Sequence, residues 1–229
     1  MTRRRPGALT GLRFAVLVGA FGLAVGVSVA EPRNLDLLKR EIRAYVESGD
    51  YARGLERVAR SARRWIEERA ALDARGVAGP QKLAVVMDLD ETLLSNWPAM
   101  QAADFGYVPA AWDEWVDRGE APAIEPVREV YRAARAAGVS VFFLTGRTER
   151  DRPGTERNLR AIGCADYAAL ICRGAEATGK AVDYKSTERQ RLVEQGWVIV
   201  ANIGDQESDL AGGFAERTFK LPNPFYQTE

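Results

Sequence analysis

Leu83-Ala84-Val85-Val86-Met87 is an unbroken apolar run that ends abruptly in Asp88-Leu89-Asp90-Glu91-Thr92. Such a run, rich in valine and without polar alternation, is what a strand buried on both faces requires. Two further runs behave the same way. Val139 to Leu144 ends in Thr145-Gly146-Arg147, and Trp197 to Ile203 ends in Gly204-Asp205-Gln206-Glu207-Ser208-Asp209. Acids set directly after buried strands are costly unless they are paired or bound to a metal. In an open parallel sheet the carboxyl ends of the strands share one edge, and ligands bind there. The three polar ends are therefore expected to meet.

The segments between the runs read as helices. Residues 125–137 have Pro126 in the first turn and Gly138 past the end, and residues 152–162 and 185–195 complete the series. Ala169 to Cys172 reads as a short strand and Thr218 to Leu221 as an edge strand. Alternating strands and helices predict an α/β fold with a Rossmann-like, doubly wound parallel sheet. Upstream, residues 34–48 repeat Leu35, Leu38, Ile42 and Tyr45 at helical spacing, with Asn34 as the cap. Residues 51–69 repeat Tyr51, Leu55, Val58, Ala62 and Trp65, with Asp50 as the cap. Gly76 to Pro80 is a break. This organisation gives 1–30 as a leader, 31–79 as a helical extension covering the core or an oligomer interface, and 80–229 as the main domain.

The leader has an export pattern. Arg3 to Arg5 precede an uncharged run from Phe14 to Val29, and Ser28-Val29-Ala30 sets small residues before Glu31-Pro32. Cleavage after Ala30 is the favoured reading, and an uncleaved single-span anchor is the alternative. Both place the remainder outside the cytoplasm, periplasmic or secreted. Membrane association is expected only through this segment. Lys plus Arg equals Asp plus Glu over 229 residues, so no basic field exists for a nucleic acid polymer. The chain has no histidine, which excludes a Ser-His-Asp triad and any imidazole metal site. Cys164 and Cys172 are left as either a disulfide or two free thiols.

The strand-end residues suit phosphoryl transfer. A carboxylate that attacks phosphorus divides hydrolysis into two easier steps, and Asp88 is the candidate nucleophile. Its charge repels phosphate, so a divalent cation is needed between them. Hard oxygen ligands without histidine favour Mg²⁺, with Asp205 as second ligand. Asp90 is placed to protonate the leaving alkoxide and then to deprotonate water. Thr145, with Gly146 beside it, offers a hydroxyl and backbone N–H to phosphate. Lys185 or Lys180 would balance the phosphoryl charge, and Lys185 is favoured because it stands at a predicted helix start.

These motifs resemble those of the haloacid dehalogenase (HAD) superfamily. Asp88-Leu89-Asp90-Glu91-Thr92 resembles its first motif, Phe143-Leu144-Thr145-Gly146-Arg147 its second, Tyr184-Lys185-Ser186 with Arg189 its third, and Asn202-Ile203-Gly204-Asp205-Gln206 with Asp209 its fourth. The third motif and Phe219 to Pro224 resemble the acid phosphatase branch, which includes class B and class C bacterial acid phosphatases and plant vegetative storage proteins. The match covers about residues 80–226. The resemblance implies a HAD-like core, Mg²⁺ and an aspartyl-phosphate intermediate. It implies Asp88 as nucleophile and metal ligand, and Asp90 as acid/base and metal ligand through its carbonyl. Thr145 and Lys185 would hold phosphate, Asp205 would bind metal, and Asp209 would support it, through water or Lys185. Plant storage relatives often lack the nucleophile, whereas this chain keeps Asp88. The implied activity is acid phosphatase action on small phosphate monoesters, including nucleotides. A storage or binding protein, or a phosphotransferase, is the alternative.

Between the first two motifs, residues 95–123 form an insertion expected to cap the site. Trp97, Phe105, Tyr107, Trp112 and Trp115 fall within it. They either pack the cap onto the core or stack on a flat leaving group; Trp97, Trp112 and Trp115 are the candidate substrate contacts. Arg147 is open between pairing with a core carboxylate and touching substrate.

Overall fold

The computed structural model describes residues 2, 31–76, 81–174 and 179–228. The expected leader, 1–30, lies outside them apart from Thr2, as do residues 77–80 of the expected break. The chain divides into two units, 1–34 and 35–229, and every helix and strand named below lies in the second. No helix among the described residues is long and apolar enough to cross a membrane.

Helices α1 (Leu35–Glu47) and α2 (Asp50–Ala74) precede strand β1 (Lys82–Met87). Helices α3 (Trp97–Ala102), α4 (Pro109–Arg118) and α5 (Glu125–Ala136) lead to β2 (Ser140–Thr148). Helix α6 (Arg152–Ala161), β3 (Ala169–Arg173), α7 (Ala181–Glu194), β4 (Trp197–Gly204), α8 (Glu207–Leu210) and β5 (Thr218–Lys220) complete the fold. The five strands are all parallel, in the order β3-β2-β1-β4-β5. The chain moves outward from β1 to β3, then returns to the other side of β1 with β4. Strands β1 and β4 therefore flank the switch point where such sheets bind ligands.

The period of the strand explains the apolar run. Leu83, Val85 and Met87 pack into one core with α2 and α5, while Ala84 and Val86 pack into the other with Leu192 of α7. Helix α2 belongs to the first core. Leu55, Ala62 and Ile66 are buried there, and Trp65 Nε1 donates to Val200 O at 2.7 Å. It covers the sheet, as one of the two expectations had it. It also runs to Ala74, beyond the expected end at 69. Asp50 is its first residue rather than its cap; Gly49 precedes it in a left-handed conformation, with φ 78°.

Two element boundaries differ from the expectation in ways that matter for the site. Strand β2 continues through Thr145-Gly146-Arg147, because Thr148 still pairs with Arg173 of β3. Helix α7 begins at Ala181, so Lys185 stands more than one turn inside it and not at its start. Cys164 and Cys172 are free and buried, and burial pushes each thiol up to about 11.

The insertion expected as a cap forms α3 and α4, and α4 packs against α6. Gly154 of α6 lies against α4 so closely that a Cβ there would meet Val116 O at 2.2 Å. Only glycine permits that approach.

Candidate active site

Asp88 follows β1 directly, and its backbone N–H donates to Ile203 O at 3.0 Å, which ties it to β4. Its carboxylate is buried. Lys185 Nζ donates to Asp88 Oδ1 at 2.6 Å and to Asp209 Oδ1 at 2.5 Å. One ammonium thus bridges the first and fourth motifs, and Lys185, not Lys180, is the lysine of the site. Burial works against its charge, but Asp88 and Asp209 outweigh this and hold it above its ordinary value.

Asp205 ends β4. Its Oδ1 accepts from Thr92 Oγ1 at 3.2 Å, and its Oδ2 accepts from Asn223 Nδ2 at 2.6 Å and from Gln206 Nε2. Asp209 turns back beneath the strand end, where its Oδ2 accepts from the Gln206 N–H at 2.8 Å. Gly204 makes room for this; a Cβ there would lie 2.4 Å from the Asp209 side chain. Arg189 is fully buried and donates to the carbonyls of Asp209, Ala211 and Gly213, so it holds the loop rather than the ligand.

Asp88, Asp205 and Asp209 each offer a carboxylate oxygen, and these lie within 4.8 Å of one another. Burial pushes Asp88 well up, and Asp209, Asp205 and Asp90 add to this while Lys185 opposes it. Burial and then Asp209 push Asp205 up as well. The charges do not balance. Buried Asp88, Glu91, Asp205 and Asp209, with Asp90, face buried Lys185, Arg147 and Arg189. An all-oxygen, histidine-free set with surplus negative charge fits a hard divalent cation.

Asp90 is treated differently. Arg147 Nη2 donates to its Oδ1 at 2.7 Å, and Arg147 Nε lies 3.2 and 3.1 Å from its two oxygens. Asn96 Nδ2 donates to Oδ1 at 2.8 Å. Burial raises the Asp90 carboxyl, but Arg147 and Asn96, with Lys185, outweigh it and hold it below its ordinary value. Arg147 therefore pairs with a core carboxylate, the first of its two expected roles. Thr145 is fully buried, and its Oγ accepts from the Arg147 N–H at 3.1 Å.

Asp88, Asp90, Gly146, Arg147, Lys185, Asp205 and Asp209 line a cavity of about 1110 Å³, and Thr145 lies behind that wall rather than in it. Phe105, Tyr107 and Trp112 of the cap line its apolar side. Of the three cap tryptophans, Trp112 alone is in that wall. Trp97 packs between Phe105 and Phe225. Trp115 is buried in the core, with Nε1 donating to Asn96 Oδ1 at 2.8 Å. Both are packing residues in this arrangement.

Sequence reading did not find Asn96, Asn223 or Tyr226. Tyr226 reaches back from the C-terminal tail, where its hydroxyl donates to Glu91 Oε2 at 2.8 Å. Burial and then the Asp90 charge push the Glu91 carboxyl up to about 7. Glu91 itself has φ 53°, an uncommon conformation for a residue with a side chain.

Known proteins resemble this chain in sequence and in fold. A family model described as HAD superfamily, subfamily IIIB (acid phosphatase), matches residues 19–229. Acid phosphatase 1 of Solanum lycopersicum is 44% identical over 146 residues, covering 62% of this chain and 57% of that protein. Vegetative storage protein 1 of Arabidopsis thaliana is 32% identical over 210 residues, covering 88% of this chain and 76% of that one. The class C acid phosphatase of Bacillus anthracis is 24% identical, with a TM-score of 0.66 over 84% of this chain and 87% of its own, a likeness of fold. The chain spans little more than half the length of the tomato protein. Motifs, sheet order and family match agree, and the chain belongs to the HAD superfamily, subfamily IIIB, the acid phosphatase subfamily.

Proposed function

We propose that the chain is an exported, Mg²⁺-dependent acid phosphatase that hydrolyses phosphate monoesters through a phospho-aspartate at Asp88. The observation that carries this reading is the single ammonium of Lys185 between Asp88 and Asp209, with Asp90 held apart by Arg147. A nucleophile beside a cation, and a second carboxylate with separate partners, is the division of labour this reaction needs.

In the first step an Asp88 oxygen bonds to phosphorus and the ester P–O bond breaks. The proton passes from the protonated fraction of Asp90, a fraction that grows toward acid pH because Arg147 and Asn96 hold the carboxyl low, to the departing oxygen, which leaves as an alcohol. In the second step Asp90, now a carboxylate, takes a proton from water as the water oxygen bonds to phosphorus. The Asp88–phosphorus bond breaks, releasing phosphate. Lys185 holds a phosphoryl oxygen, and Thr145 and Gly146 close the phosphate subsite from β2. Mg²⁺, held by Asp88, Asp205 and the Asp90 carbonyl with Asp209 in support, supplies charge neutralisation when bound.

The aromatic wall of Phe105, Tyr107 and Trp112 suits a flat leaving group, nucleobases included. The export reading rests on residues 1–30 and places the enzyme in the periplasm or outside the cell. A chain beginning at Glu31 in the extracytoplasmic fraction is the expected result of N-terminal sequencing. The enzymatic test is release of phosphate from p-nitrophenyl phosphate with Mg²⁺, abolished in Asp88→Asn. A folded wild-type chain that turns over no ester with any divalent metal would refute the reading. The similarity to a storage protein would then supply the better one.

A further inference from the structure

Asn96 stands between the acid/base and the cap, and it is fully buried. Its Nδ2 donates to Asp90 Oδ1 at 2.8 Å and to Glu91 Oε2 at 3.0 Å, and its Oδ1 accepts from Trp115 Nε1 at 2.8 Å. Its backbone N–H donates to Glu91 Oε1 at 2.6 Å. Every hydrogen-bonding group of the side chain is thus engaged. An indole N–H only donates and an ionised carboxylate only accepts. The amide therefore has one orientation, oxygen toward the cap and nitrogen toward the acids.

This orientation separates the two oxygens of Asp90. Oδ1 accepts from Asn96 and from Arg147 Nη2. Among the described residues, Oδ2 accepts only from Arg147 Nε, at 3.1 Å. The less engaged oxygen is the one that accommodates a proton at least cost.

We propose that Asn96 is a positioning residue for Asp90, and that Trp115 fixes Asn96 from within the cap. The cap thereby supports leaving-group protonation through a tryptophan that does not touch the substrate. Asn96 pins Oδ1 so that Oδ2 carries the proton to the ester oxygen as the P–O bond breaks. The inference rests on the phosphatase reading and names two further residues of its machinery.

The test separates a proton-delivery role from general damage. Proton delivery matters for an alkoxide leaving group and hardly for 2,4-dinitrophenolate, which departs unprotonated. The measured quantity is kcat/KM, which reports the P–O cleavage step, for wild type, Asn96→Ala and Trp115→Phe. The substrates are glycerol phosphate and 2,4-dinitrophenyl phosphate. General acid catalysis contributes about 10²- to 10⁴-fold, so losing alignment is expected to cost Asn96→Ala roughly tenfold or more on glycerol phosphate. On 2,4-dinitrophenyl phosphate the loss is expected to stay below about twofold. Trp115→Phe keeps a ring in the core and is expected to show the same selectivity with a smaller amplitude. Equal losses on both substrates, or no loss on either, would overturn the proposal. If Asn96→Ala does not fold by circular dichroism, Trp115→Phe decides alone. A wild type inactive on both substrates would instead refute the phosphatase reading, and this inference with it.

Discussion

Replacing Lys185 by methionine tests the electrostatics of the site without any assay of turnover. The side chain is 6% exposed, and its partners Asp88 and Asp209 are 8% and 4% exposed. Removing one member of a buried ion pair typically costs about 3–5 kcal/mol, because the other charge is left uncompensated. A unit of this size loses roughly 2–4 °C of Tm per kcal/mol, so the expected fall in Tm is about 6–20 °C. Circular dichroism during heating, without divalent metal, measures it.

The pH dependence of that loss is a second check. The lysine pKa is raised, so its contribution is complete below the ordinary lysine value and is lost only as pH rises through the raised one. Lys185 therefore stays charged in the wild type throughout the neutral range. Asp88 is raised by burial and by three neighbouring acids, and Lys185 opposes them. Without Lys185 the Asp88 carboxyl rises further, and a proton replaces the missing ammonium at low pH. The variant is therefore expected to lose stability as pH rises, with a smaller deficit at about pH 5 than at about pH 8. A deficit under about 1 kcal/mol, the range of an exposed pair, would refute the argument. So would a deficit that grows toward acid.

Three other outcomes follow from the same geometry. Mg²⁺ at about 100 times its Kd is expected to stabilise the chain by about 2.7 kcal/mol, a rise in Tm of roughly 5–11 °C that chelation reverses; an unchanged Tm would remove the cation from the site. Arg147→Gln frees Asp90 to rise toward its ordinary value. The descending limb of kcat/KM against pH for an alkyl phosphate is then expected to move upward, and a downward move would contradict the pairing. Gly154→Ala forces α4 away from α6, since the new Cβ meets a carbonyl at 2.2 Å. Urea unfolding is expected to show a loss of about 3 kcal/mol, at the upper end for overpacking, and a loss below about 0.5 kcal/mol would show that the cap yields freely.

The sheet was legible because each central strand is buried on both faces, which leaves no polar alternation to confuse the reading. The acids were legible for the converse reason: Asp88 and Asp205 directly follow such runs. The boundaries were less so. Thr145 to Arg147 read as a strand end, yet the pairing of Thr148 with Arg173, 25 positions along the chain, keeps them in β2, and that pairing depends on a partner the local sequence does not show. Trp112 and Trp115 lie three residues apart on one short helix. Their spacing could not say which side faces the cavity and which the core. Asn96 and Tyr226 carried no local signal at all. Asn96 falls in an ordinary Ser-Asn-Trp stretch, and Tyr226 meets Glu91 from 135 positions away.

Three aspartates of one ordinary type are thus given two opposite characters by their surroundings. Asp88, Asp205 and Asp209 crowd together, and Lys185 is the sole ammonium shared between two of them; burial and mutual repulsion raise Asp88 and Asp205. Asp90, two positions from Asp88, is paired with the Arg147 guanidinium and is lowered. The separation follows from strand geometry. Side chains alternate along an extended chain, and Leu89 continues that alternation into the core of Leu83, Val85 and Met87; the chain then turns, with the Leu93 and Leu94 N–H donating to Leu89 O, and Asp90 at that turn meets Arg147 of β2. Glycine at 204 lets Asp209 fold beneath β4 on the other side. A surplus of negative charge collects at Asp88, Asp205 and Asp209, and a satisfied carboxylate stands beside it at Asp90. Exchanging the environments, by moving the guanidinium from Asp90 to the Asp88 group, would offset the crowding that raises Asp88 and leave Asp90 without the partner that lowers it.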